Sequence, residues 1–410
     1  MDRRESSPDG GREIYDFETV IDRRGTGAVK WDLMREADGI VPEGTVPFSV
    51  ADMEFKNPPE IIRGLKEYLG RAVLGYTQGT DGFYEAVTGW TKRRYGWETR
   101  REWLVTTPGV VNAFFHGVRT FTEPGDGVIL LTPVYYPFYN AAKRNGRVIE
   151  RCPLILKDGA YAIDFELLEQ LAKKPGNRLL ILSNPHNPVG RVWTREELTR
   201  LGEICLRHQV FVTADEIHCD LIMPGHTFTS FASISPEFEA NSMTCIAPSK
   251  TFNLAGMQAS CIFIPDPGRR KAFIYETGAC GQENRLGILS YESTRIAYTQ
   301  CDRWLEKLIE AIDGNRLALK AFLAERCPGV LAADMEGTYL QWMDVRILGL
   351  SPREQERVMI QEGRLFFDEG SLFGPEGDGF ERMNLACPRS VLMAALERFE
   401  SVYRRYAHKK

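Results

Sequence analysis

Between about residues 100 and 265, short apolar runs alternate with stretches whose apolar residues recur every three or four positions. That alternation describes a parallel sheet flanked by helices. WLVTT (103–107), GVILLT (127–132), RLLILS (178–183), VFVTA (210–214), MTCIA (243–247) and ASCIFI (259–264) are the predicted strands. Between the third and fourth, Thr194 and Glu197 make a capping box, and Leu198, Leu201 and Cys205 follow at helical spacing. Past residue 285 the pattern changes to a long helical region, roughly 292–326, and then TYLQWMDV (338–345) as a strand. A helix in SPREQERVMIQEG, short strands near RLFF and RMNLA, and a last helix with Leu392, Leu396, Phe399 and Tyr403 on one face complete the chain. The pattern divides into a large α/β domain (61–300) and a smaller α+β domain (301–410). Residues 13–60 are too few to fold alone and are expected to pack on the small domain, and the polar residues 1–12 are expected to be disordered.

Composition narrows the partners. With 410 residues, 43% of them hydrophobic, the chain can bury a large core. The 51 basic and 56 acidic side chains nearly cancel and no Lys/Arg-rich arm stands out, so a nucleic-acid partner is not expected. No window approaches the roughly 18 uninterrupted apolar residues of a membrane span, and the N-terminus lacks the apolar core of a secretion signal. A cytoplasmic protein with no membrane association is the expectation. The nine cysteines form no CxxC pair, which reads as reduced, buried thiols and not as a zinc site.

Ligands of such sheets sit beyond the C-terminal strand ends, so the residues closing each strand are the candidates for chemistry. Neither GxGxxG nor GxxxxGK[ST] is present. TTPGVV instead runs from strand to helix, leaving the amides of Gly109, Val110 and Val111 free to hold a phosphate, although most such turns bind nothing. Asp215, Glu216, His218 and Asp220 form an acidic cluster at another strand end. Taken alone, Asp215 reads as an N-capping aspartate, and the scattered histidines give no metal-ligand spacing. Asn187, in HNPVG, reads alone as a turn residue. Lys250, in APSKTFNLAG, follows a buried run, where an ammonium needs either a charge partner or a chemical task.

One ligand would use them all. Pyridoxal phosphate needs an amine, a carboxylate for its ring nitrogen, a donor to its phenolic oxygen, an aromatic face and a phosphate cup. Lys250, Asp215, Asn187, Tyr135 and the 109–111 amides would fill those places in turn.

SNPHNPVGRVW, ADEIHCDL and APSKTFNLAG closely resemble the fold-type I pyridoxal-phosphate enzymes of the aspartate aminotransferase superfamily. VPFSVADMEFKNPPEI, LGYTQG and RMNLACPRS resemble its cystathionine β-lyase and cysteine-S-conjugate β-lyase branch, the MalY and PatB group. The resemblance runs from about residue 45 to the C-terminus. It implies a mostly parallel seven-stranded sheet, pyridoxal 5'-phosphate as cofactor, an amino-acid substrate and a homodimer with shared active sites. By that resemblance Lys250 is the Schiff-base lysine, Asp215 the pyridine-nitrogen partner, and Asn187 and His218 the ligands of the phenolic oxygen. Tyr76 reaches the cofactor phosphate of the neighbouring subunit and acts in catalysis. Arg382 binds the substrate carboxylate, with Arg389 a second candidate, and Ala51 and Asp52 line the substrate pocket.

Departures from the family pattern fall on the phosphate cup and the pocket. Gln258 stands where many aminotransferases carry an arginine, Ala247 where a serine is common, and Ser49 where much of the lyase branch has tryptophan. Ser249 is the substitute phosphate donor. The flanking motifs favour carbon–sulfur β-elimination, with transamination as the alternative and a regulatory or binding protein retaining the fold as a third reading.

Overall fold

The computed structural model describes residues 15–32, 34, 41–157 and 159–407. The segment expected to be disordered, 1–12, lies outside them. At the centre is a seven-stranded sheet of β1 (Leu104–Thr107), β2 (Gly127–Thr132), β3 (Val148–Pro153), β4 (Asn177–Ser183), β5 (Phe211–Asp215), β6 (Ser242–Ile246) and β7 (Ser260–Phe263). Its spatial order is β1-β7-β6-β5-β4-β2-β3. All neighbours run parallel except β7, which is antiparallel to both β1 and β6. Strands β2, β5 and β6 are buried along their whole length, as strands covered on both faces must be, and therefore read as continuous apolar runs.

Two elements differ from the sequence expectation. Strand β3, VIERCP, was missed because it lies at the sheet edge, where five of its six residues keep some exposure and no apolar run is needed. The long helical region is two helices, Ile288–Gln300 and Asp302–Arg326, separated at Cys301. The first packs on helices Pro59–Leu69 and Asp81–Tyr95, the second on the C-terminal helix Arg389–Tyr406, so the two pieces serve different neighbours. Within each piece the apolar spacing stays helical, so the break has no signature in the pattern.

The C-terminal part adds a four-stranded sheet in which Phe380–Asn384 pairs antiparallel with both Leu340–Asp344 and Asp368–Glu369. The N-terminal segment lies between this part and the large sheet. Val46–Pro47 pairs parallel with Leu365–Phe366, and the Asn384 amide donates to Phe48 O at 2.9 Å. On its other side the Met53 amide donates to Asn253 Oδ1 at 3.1 Å, and Asn253 Nδ2 donates to the carbonyls of Met53 and Phe55. Residues 46–55 thus bridge the C-terminal sheet and the loop that follows Lys250.

Candidate active site

The C-terminal ends of β1, β4 and β5, with the short helix Pro248–Thr251 after β6, surround a cavity of about 200 Å³. It is lined by Gly109, Val110, Val111, Tyr135, Asn187, Asp215, His218, Ser249, Lys250 and Gln258 among others. An outer cleft of about 1130 Å³ shares Ala51, Lys250, Ala255 and Gln258 with it and carries Asp52 on its wall. Strand termini bring the inner set together, since side chains as far apart in the chain as Gly109 and Lys250 become neighbours where parallel strands end side by side.

Lys250 Nζ donates to the Ala51 carbonyl at 2.6 Å. Burial lowers its amine from 10.5 to about 8; Asp52 and Asp215 oppose that shift and the Arg382 charge adds to it. Asp215 is 6% exposed, and burial raises its carboxyl to about 7 against the opposing Ile217 amide and the Lys250 charge. A buried carboxylate without a full counter-charge is suited to a cationic ring N–H, as the protonated pyridine nitrogen would supply. His218 is buried with Nδ1 lacking any hydrogen-bond partner among the described residues, and desolvation holds it neutral, well below its ordinary value. Burial likewise pushes the Tyr135 hydroxyl up.

The phosphate end is built from backbone. Helix Val110–Phe121 has Gly109 as its N-cap at φ 86°, with no side chain capping its first amides. Uncapped amides at the start of a three-turn helix can receive an anion. Gln258 lines the same space but supplies no positive charge, and Ser249 stands beside it. An amine of lowered basicity, an uncompensated buried carboxylate, an orphaned imidazole nitrogen and an uncapped helix start together fit pyridoxal phosphate.

The remaining acidic residues of the cluster do other work. Glu216 accepts from Ser230 Oγ at 2.7 Å and from the Phe231 amide at 2.8 Å. Asp220 accepts from the Tyr95 hydroxyl at 2.6 Å, Trp90 Nε1 at 3.1 Å and Thr251 Oγ1 at 2.8 Å, tying helix Asp81–Tyr95 to the turn after Lys250. They do not converge as metal ligands. His116, Glu276 and Cys280 lie at ligand-like separations elsewhere, with Glu276 paired to Arg119 at 2.7 Å and His116 Nε2 to Gln282 at 3.1 Å.

Arg382 is 2% exposed and does not itself line the cavity; its Nη1 donates to Asn187 Oδ1 at 2.9 Å and its Nη2 to Asp368. Arg389 is not brought to the site. Its Nε donates to Asn315 Oδ1 at 2.6 Å, and Asn315 also holds the carbonyls of Leu385 and Cys387, so this arginine braces the start of the C-terminal helix. Asp52 pairs with Arg23 at 2.7 Å and faces the outer cleft only. Tyr76 is fully exposed and reaches neither cavity of its own chain.

Sequence reasoning missed Asp368 and Tyr339. Asp368 faces Arg382 across paired strands, and the Tyr339 hydroxyl donates to the Ala51 carbonyl at 3.0 Å. Neither stands in a motif; Asp368 becomes visible through strand register, and Tyr339 through the packing of the N-terminal segment against the C-terminal sheet.

The chain is similar to several known proteins along nearly its whole length. It is 44% identical to cystathionine beta-lyase PatB of Bacillus subtilis (strain 168), covering 94% of this chain and 99% of that one. It superposes with a TM-score of 0.94 on cystalysin from Treponema denticola, whose structure contains a pyridoxal 5'-phosphate cofactor, at 46% identity over 96% of this chain and all of the other. With the pyridoxal-phosphate-bound C-S lyase from Staphylococcus hominis the TM-score is 0.89 at 30% identity, over 95% and 98% of the two chains. Residues 44–399 match the family described as aminotransferase class I and II, and the chain belongs to that family.

Proposed function

We propose that this protein is a pyridoxal-phosphate-dependent carbon–sulfur β-lyase that cleaves L-cystathionine or a cysteine S-conjugate, with uptake of one water, to a thiol, pyruvate and ammonia. The observation that carries the cofactor assignment is Lys250, an amine brought to about 8 by burial, beside the cavity that Asp215 closes. The β-lyase and C-S lyase names of relatives that align over nearly the whole chain favour elimination over transamination.

When bound, pyridoxal phosphate supplies an electron sink that stabilises negative charge at the substrate α-carbon. Asp215 would hold the ring nitrogen protonated, Asn187 and His218 would contact the phenolic oxygen, and Tyr135 would cover the ring. The Val110 and Val111 amides and Ser249 would receive the phosphate; the Gly109 amide, expected to be free, instead donates to the Thr107 carbonyl at 2.8 Å within the turn. Arg382 binds the substrate α-carboxylate through a charge-assisted fork. Lys250 is the base: an amine with a value near 8 is partly neutral at working pH and can take the α-proton, while the Ala51 carbonyl sets where Nζ rests. Loss of that proton lets the thiolate leave from the β-carbon.

Tyr76 sits fully exposed beside Val73 and Leu74, which are also exposed, and this apolar edge supports a homodimer in which Tyr76 enters the partner's site. All nine cysteines are unbridged, which suits a reducing cytoplasmic setting. Among the described residues no helix is long and apolar enough to cross a membrane.

The test is to incubate purified holoenzyme with cystathionine or S-methylcysteine in the absence of any keto acid. Pyruvate accumulating over many turnovers is the expected result. A half-turnover that stops until a keto acid is added would establish transamination in its place.

A further inference from the structure

The Arg382 guanidinium is held from two sides and left without a hydrogen-bond partner on a third, among the described residues. Nη1 donates to Asn187 and Nη2 to Asp368 Oδ2, while Nε is buried with no partner among the described residues. In a guanidinium the Nε hydrogen and one Nη2 hydrogen share an edge, the edge on which a carboxylate sits with two parallel bonds. A substrate carboxylate that satisfies the buried Nε therefore comes onto the same nitrogen, Nη2, that Asp368 already holds, and sets one carboxylate against another.

Asp368 has a second duty. The same Oδ2 accepts from the Val50 amide at 3.1 Å. Val50 has φ 53°, the left-handed region, which a β-branched residue occupies only when its surroundings hold it there. Asn384 Nδ2 pins the next part of the turn by donating to the Val50 and Asp52 carbonyls at 2.8 Å each. Between them the Ala51 carbonyl accepts from Lys250 Nζ at 2.6 Å and from the Tyr339 hydroxyl at 3.0 Å. One carboxylate oxygen thus joins Arg382 to the strained turn on which the Lys250 amine rests.

Building on the reading of Arg382 as the α-carboxylate site, we propose that Asp368 is a positioning residue that occupies Nη2 of Arg382 in the free enzyme, cedes it to the substrate carboxylate, and so transmits carboxylate binding to the Val50–Ala51 turn that anchors Lys250. The consequence is selection for substrates bearing an α-carboxylate at the level of the base, beyond the attraction of a single ion pair. A simple amine could enter the cavity without disturbing the Arg382–Asp368 contact and would leave the turn as it is.

The test uses wild-type holoenzyme and two ligands with no eliminable β-group: 2-aminoisobutyrate, which has a carboxylate and no α-hydrogen, and isopropylamine, its counterpart without the carboxylate. Hydrogen exchange is followed in the peptide spanning residues 48–55 at saturation of each ligand, judged by the cofactor absorption. The expected result is a change in exchange rate of at least about 5-fold with 2-aminoisobutyrate and none with isopropylamine. In Asp368→Asn that difference should vanish although 2-aminoisobutyrate still shifts the cofactor absorption. Equal responses to the two ligands in the wild type, or a difference that survives in Asp368→Asn, would overturn the assignment while leaving the lyase reading intact. An Arg382→Ala holoenzyme that binds 2-aminoisobutyrate as tightly as wild type would instead remove the reading on which it rests.

Discussion

The state of the Lys250 amine is the most direct test of the site. Burial lowers it from 10.5 to about 8. At pH 7.5 a group with that value is about one quarter neutral, against roughly one part in a thousand for an ordinary lysine, a gain of about 200-fold in reactive amine. The perturbation is to titrate apoprotein from pH 6 to 11 with short pulses of an amine-acylating reagent, quantifying acylated Lys250 by peptide mass spectrometry. Its labelling should rise with a midpoint near pH 8. Two variants move the midpoint in opposite directions: Asp52→Asn removes a negative charge that favours the ammonium and lowers it, whereas Arg382→Ala removes a positive charge and raises it. A Lys250 that titrates with ordinary lysines near 10.5, or an Asp52→Asn variant whose midpoint rises, would refute the electrostatic account.

Other expectations concern the surrounding residues. Burial raises Asp215 to about 7 in the fold, whereas its ordinary value is 3.8, so folded apoprotein keeps a proton there that the unfolded chain has released. That contribution is complete below pH 3.8 and is lost as pH rises through 7, so Asp215→Asn apoprotein should gain on wild type between pH 5 and 8, by on the order of 2–4 kcal/mol. Thermal unfolding at both pH values checks this, and a pH-independent gap contradicts it. Arg382→Ala should lower kcat/KM for cystathionine by at least about 30-fold, because a buried charge pair is lost and Asp368 is left uncompensated; steady-state kinetics with an unchanged value would exclude Arg382 from carboxylate binding. Gly109→Ala forces a side chain into φ 86° at the start of the phosphate-facing helix, and equilibrium dialysis should show weaker cofactor retention. Co-expressed Tyr76→Ala and Lys250→Ala chains, each inactive alone, should regain activity in mixed dimers, and a silent mixture would place Tyr76 outside the partner's site.

Much of the site was legible in order along the chain. Lys250, Asp215, Asn187 and the Gly109 turn each close or follow a predicted strand, and a doubly wound sheet gathers such positions at one edge whatever the lengths of the intervening helices. The capping box at Thr194 and Glu197 forms as read, because its two bonds join residues three apart. Strand β3 escaped because an edge strand need not be apolar, and the break at Cys301 escaped because helical spacing is the same on either side of it.

Sequence alone therefore determined what local chemistry decides: which segments are buried strands, where helices begin, and which residue types stand at strand ends. Tertiary structure alone decided the pairing of Asp368 with Arg382, the diversion of Arg389 to Asn315, and the placing of Ala51 under Lys250 from a segment some 200 residues earlier. These depend on strand register and on packing between distant segments. Such contacts are set by the summed burial of the whole core, and no short window of the chain encodes them.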